Sequence, residues 1–203
     1  MASSSNLARI AGVAILLLGA LPVAEAMTEF SAEVDYFNQQ GDPVMKGEIY
    51  VSDDVIREEV GGDSPVSIRI TDLFRGVSYL LDTVRHEYQE RQEVFTVPRN
   101  PSQFCAEMAL MECGYQEREQ VNGVETEHWR AELGFGSLTI GVDGWYDPKI
   151  QYPLRIQWGG GRQLKLSKVK VGRIPSALLS IPFDYQRVDS IEGSVAEYFS
   201  DWP

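Results

Sequence analysis

The sequence predicts a mainly β domain of the α+β class, built on one large, curved antiparallel sheet. Three observations predict it. Runs with an apolar residue at every second position recur along the chain, at the period of a half-buried strand. Turn signals separate neighbouring runs, with Asn122-Gly123 the strongest and Gly159-Gly160-Gly161 another. Strands do not alternate with long helices, which argues against a parallel βαβ sheet.

The first 26 residues stand apart from this pattern. "MASSSNLAR" carries one positive charge, Arg9, and "IAGVAILLLGALPVA" is apolar and uncharged. "AEA" at 24–26 fits the small-x-small pattern before a cleavage site. The apolar run is shorter than the roughly 20 residues of a spanning helix. The expectation is a cleaved signal peptide and export to the periplasm. No cysteine follows the cleavage site, so no lipid or other stable membrane anchor is expected. The mature chain would hold 203 − 26 = 177 residues, the length of one domain with a real core. It divides into a β domain over 27–188 and an acidic, aromatic tail over 189–203. The formal net charge is −12, a surface that repels nucleic acid and anionic membrane faces.

In chain order, "FSAEVDYF" (30–37) puts Phe30, Ala32, Val34 and Tyr36 on one side of a strand, and "GDP" (41–43) makes a turn. Residues 45–60 read as two strands broken near Asp53-Asp54. "PVSIRITD" (65–72), "GVSYLLD" (76–82) and "HEYQERQEVFTV" (86–97) continue the series. Asn100 can cap a short helix with Pro101 in its first position. Strands return on both sides of Asn122-Gly123, then in "GSLTIGVDGWYD", "YPLRIQW" and "RQLKLSKVKV". In the last of these, Leu164 and Leu166 have one parity and Val169 and Val171 the other, which predicts a β-bulge near Ser167-Lys168. "IPSALLSIP" reads as a turn or a short helical piece. The count is about ten strands.

Cys105 and Cys113 are the two cysteines of the chain. Export places them where disulfides form and persist. Eight residues of straight α-helix would hold their Cα atoms about 12 Å apart, and a disulfide needs about 4.4–6.8 Å. A bond therefore requires the chain to bend back between them. Two other readings stand beside it: a soft-metal site with Met108 and Met111, and a redox pair, which the absence of a Cys-x-x-Cys spacing disfavours. His86 and His128 lie far apart in Glu-rich runs and read as ordinary strand residues; neither a zinc set nor a serine triad follows from them. No Gly-x-Ser-x-Gly or His-Glu-x-x-His occurs, and Gly159–Gly161 lacks the Lys of a phosphate loop. The acidic clusters Asp53-Asp54, Glu58-Glu59 and "ECGYQEREQ" read as solvated faces. No catalytic residue, metal or cofactor is expected.

The apolar strand positions are the candidates for binding. Val34, Ile49, Ile56, Ile68, Ile70, Tyr79, Trp129, Ile140, Ile156 and Leu164 are expected to line one concave face, as a ligand groove or as a filled core. Arg57, amid acids in "VIREE", would border that face. It can pair with Glu59 or Glu48, or anchor a lipid headgroup or a lid.

"MKGEIYVSDDVIREEV", "EQVNGVETEHWRAEL" and "WYDPKIQYPLRIQW" followed by "LKLSKVKVGRIPSALLSIPFDYQRV" resemble, in this order, the opening strands, middle hairpin and closing section of periplasmic proteins similar to the outer-membrane lipoprotein carriers. Asp184 stands where the ending "F-x-x-P-x-G-Y" has glycine. The resemblance covers about residues 28–188. It implies a half-barrel with a short helical lid over an apolar face, which in the carriers holds acyl chains. The expected function is non-enzymatic binding of an apolar ligand, a lipid or a lipoprotein acyl chain. The alternative is an interaction module that binds an envelope protein through an edge strand or the tail around Tyr198, Phe199 and Trp202.

Overall fold

The structure is a computed structural model; it describes residues 28–52, 54–61, 67–92, 100–107, 112–135 and 138–191. The signal-like leader, Met108, Met111 and the tail beyond Ile191 lie outside these residues. Strands β1 (Phe30–Phe37), β2 (Pro43–Ser52), β3 (Val55–Val60), β4 (Ser67–Asp72), β5 (Val77–Asp82) and β6 (Glu87–Gln92) come first. Helix α1 (Pro101–Glu107) follows, then β7 (Glu112–Val121), β8 (Val124–Phe135), β9 (Leu138–Asp147), β10 (Tyr152–Trp158) and β11 (Gln163–Val171). A 3-10 turn (Ser176–Leu179) and the two-residue β12 (Gln186–Arg187) end the series.

All twelve strands join one sheet in the order β12-β6-β5-β4-β3-β2-β1-β11-β10-β9-β8-β7. Two runs of consecutive hairpins, β2 to β6 and β7 to β11, meet on either side of β1. The mainly β, curved, antiparallel architecture is the one the alternating runs predict. One pair departs from it: β12 runs parallel to β6, and two residues are too few to show a period.

The turns follow local chemistry. Asn122 and Gly123 both have positive φ, 52° and 80°, the geometry of a two-residue hairpin loop. Asn100 accepts hydrogen bonds through Oδ1 from the Gln103 amide (3.0 Å) and the Ser102 hydroxyl (2.7 Å) at the start of α1. Lys168 has φ 50°, and β1 and β11 slip register between Ser31 and Glu33, at the predicted bulge. His86 (φ 56°) closes the turn before β6 instead of opening the strand. Gly47 is required by packing, because a Cβ there would sit 2.0 Å from the Glu59 carbonyl oxygen.

Register shows how the sheet buries itself. Met45, Tyr36, Leu164, Ile156, Gly144, Trp129 and Tyr115 form one cross-strand row on what is here named the Val34 face. Over β1, β2, β3, β10 and β11 this face is the main core: Phe30, Val34, Ile49, Val51, Ile156 and Leu166 are all buried in one cluster. Toward β6 it turns polar, presenting Glu58, Arg69, Thr71 and Ser78 beside Leu80.

On these strands the opposite face, named for Arg57, takes over the apolar role. Ile68, Ile70, Val77, Tyr79 and Leu81 form a second cluster, against which Ile181 and Tyr185 of the C-terminal segment pack. That segment is tied down at several points. Arg57 Nη1 donates to the Leu178 carbonyl (3.0 Å) and Nε to Glu59 Oε1 (2.6 Å). Asp184 lies 2.8 Å from His86 Nδ1, and Tyr185 stacks on the same imidazole at 5.1 Å. Asp189 and Ile191 are held by Gln89, and Ile191 is buried in the main core.

Candidate functional site

The ten expected apolar positions do not share one face. Val34, Ile49, Ile56, Trp129, Ile156 and Leu164 lie on the Val34 face. Ile140 pairs with Leu133, a register position on the same face, and its side chain is outside the described residues. Ile68, Ile70, Tyr79 and Arg57 lie on the opposite face, because Ile56 pairs with Thr71 and so Arg57 pairs with Ile70. The expectation of a single lined face is therefore corrected. Neighbouring strands carry their apolar residues at different parities, and one step of register reverses the face. Arg57 meets its Glu59 partner and fixes the C-terminal segment, so its charge is engaged.

Most of the Val34-face residues are closed to solvent, from Ile49 at 0% to Leu164 at 7% exposed. The face opens toward β7. Tyr115 is 48% exposed, and Trp129, Ala131, Val142 and Trp158 are half-buried. Two cross-strand rows arrange them. Tyr115 faces Trp129, with ring centroids 5.8 Å apart and edge to face. Trp158 faces Val142, Val142 faces Ala131, and Ala131 faces Cys113. Aromatic rings carry large apolar areas, so among the described residues this strip is an apolar surface on the Val34 face that a ligand could cover. Sequence reasoning found Trp129 and missed Tyr115, Val142 and Trp158. Their alternation with Trp129 across paired strands was the available signal, and it needed the register.

The strip ends at a staple. Cys105 of α1 and Cys113 of β7 are bonded, with Cα atoms 5.1 Å apart. The helix stops at Glu107 and the strand begins at Glu112, so the chain bends back as the bond requires. Both sulfurs are committed to the bond, which removes the thiolates that a soft-metal or dithiol redox site needs. The bond holds the helix against the margin of the strip, beside Tyr115.

No family model and no curated protein matches the sequence. Solved structures do match. An uncharacterised conserved protein of Thermus thermophilus is 13% identical, with 80% of this chain covering 90% of that one at a TM-score of 0.52. MucB of Pseudomonas aeruginosa, solved in complex with MucA, is 16% identical over 79% of this chain and 58% of its own, at 0.50. PNGF-II is 10% identical over 80% of this chain, at 0.50, and this chain spans 32% of its length. The chain shares the fold of these proteins. At lower TM-scores, 0.39 and 0.34, the matches include lipoprotein LppX of Mycobacterium tuberculosis and a putative outer-membrane lipoprotein-sorting domain of Vibrio parahaemolyticus. Among the described residues, no helix is long and apolar enough to cross a membrane.

Proposed function

We propose that the chain is a non-enzymatic periplasmic protein that holds an acyl chain against the strip formed by Tyr115, Trp129, Ala131, Val142 and Trp158. The observation that carries this reading is the partial exposure of an aromatic-lined surface on a face that is buried core over its central strands. Covering it removes apolar surface from water at about 25 cal/mol per Å² before ordering costs. The stapled helix supplies a fixed wall at the strip's margin. The signal-like leader and the disulfide fit an exported protein.

The test is to purify the mature protein from a periplasm, extract it with solvent and identify co-purified lipid. A fluorescent fatty acid is then titrated into the delipidated protein. Wild type should carry lipid and take up the probe. Tyr115→Ala with Trp129→Ala should take up about ten-fold less, the loss of roughly 1.4 kcal/mol or more of apolar contact. A clean extract with no probe uptake would sink the reading.

A second reading rests on β7, which ends the sheet and has no further strand beside it among the described residues. Such an edge can accept a strand from a partner protein, and MucB was solved with a protein partner. A pull-down from envelope extract tests it, using a variant with proline in place of Arg118. Truncation of the tail should begin after Ile191, since Ile191 belongs to the core.

A further inference from the structure

The Arg57 face of β7 and β8 carries a cluster that the proposed function does not use. The two strands slip register between Tyr115 and Arg118. Tyr115 faces Trp129 and Arg118 faces Glu127, which leaves Gln116 and Glu117 sharing the single partner His128. A bulge of this kind adds a residue to one strand and re-aims a side chain. Glu117, Glu119 and His128 thereby converge, with one ligand atom from each lying within 4.8 Å of the others.

The imidazole is held from its far side. Nε2 lies 2.7 Å from Asp143 Oδ1, and a carboxylate only accepts, so Nε2 carries the proton in that bond. The ring lies flat on Trp145, with centroids 4.4 Å apart and planes 6° from parallel. Arg155, on the next strand, places its guanidinium 4.1 Å over the same indole. Rotation of the imidazole is thus blocked by stacking and by a hydrogen bond.

The result is an imidazole nitrogen without a hydrogen-bond partner. His128 Nδ1 is sealed from solvent and makes no hydrogen bond. Glu119 Oε1 lies 3.3 Å away without forming a hydrogen bond to it. In the tautomer with its proton on Nε2 alone, His128 offers Nδ1 as a ligand atom beside the two carboxylates. Three candidate ligand atoms then converge, and a cation can bridge them.

We propose that Glu117, Glu119 and His128 bind a divalent transition-metal ion. An imidazole nitrogen with two carboxylates suits Zn2+, whose sites often combine three protein ligands with an open position for water or a further ligand. Ca2+ and Mg2+ favour all-oxygen shells, so the imidazole selects against them. Asp143 is the positioning residue, in the carboxylate–histidine–metal arrangement that fixes the ring and raises its basicity. Exposure of Glu117 puts the open position on the solvent side. The cluster lies on the opposite face from the acyl-binding strip, so failure of either proposal leaves the other standing.

The test is calorimetric titration of chelator-treated, disulfide-bonded mature protein with Zn2+, repeated with Co2+ to read coordination from its visible absorption. Trp145 fluorescence reports the same event through its stacked neighbour. One ion per chain is expected. His128→Gln and Glu119→Gln should each weaken binding about ten-fold or more, and Asp143→Asn by about ten-fold through ligand positioning. Glu125→Gln, an exposed acid on β8, should bind as wild type. If His128→Gln fails to fold, the paired Glu117→Gln and Glu119→Gln variant takes its place. No binding up to about 1 mM Zn2+, or variants that bind as tightly as wild type, would overturn the site.

Discussion

Tyr36 shows how one buried polar residue is accommodated in an apolar face. Its hydroxyl donates to Glu58 Oε1 (3.0 Å), and Arg69 holds Glu58 Oε2 at 2.6 Å with both side chains nearly covered. Burial, followed by the charge on Glu58, holds the Tyr36 phenol well above its usual value. Tyr146 is raised by burial. A phenol raised on folding favours the native state while neutral. That contribution is complete below about pH 10, the unfolded value, and is lost as pH rises toward the folded one. Denaturant melts between pH 8 and 11.5 should therefore show stability falling above about pH 10. Tyr36→Phe should shallow that fall and cost about 1–2 kcal/mol at pH 7, since its bond runs to a charged acceptor. An unchanged alkaline slope would show that Tyr36 is not the group responsible.

At the scale of elements, two tethers hold pieces that could not stay in place alone. α1 is seven residues long, too short to be stable as an isolated helix. Its bond to β7 closes a small loop, worth roughly 2–3 kcal/mol in the chain-entropy model. Replacing both cysteines with serine should lower stability by about that amount. It should also speed amide exchange over 101–107 while leaving β1 and β2 protected. The second tether is Arg57. Arg57→Ala removes the bond to the Leu178 carbonyl and leaves Glu59 without its guanidinium partner, at a cost of about 1–3 kcal/mol. Exchange should rise over 176–188, because the two-residue β12 cannot hold the segment by itself. Equal exchange in wild type and variant would mean that the apolar contacts of Ile181 and Tyr185 suffice.

For the whole molecule, charge and register matter most. A net charge of −12 on a chain of this size strains the compact state by self-repulsion. Its Tm should rise between low salt and about 0.5 M NaCl, where the Debye length shrinks to a few ångströms. A Tm that falls with salt would show that surface ion pairs such as Lys168–Glu33 outweigh the repulsion.

Sequence by itself determined the local features of this protein. The alternation that makes β1, the Asn100 cap, the Asn122-Gly123 hairpin and the bulge at Lys168 are each encoded within a few residues, where sterics and burial act locally. Tertiary structure alone decided which face each strand presents. It placed Ile56 with the main core and Ile70 on the other side, brought Tyr115 beside Trp129, and set Glu117 and Glu119 against His128. These outcomes depend on pairing between strands, and a one-residue change of register moves every side chain of a strand to the opposite face.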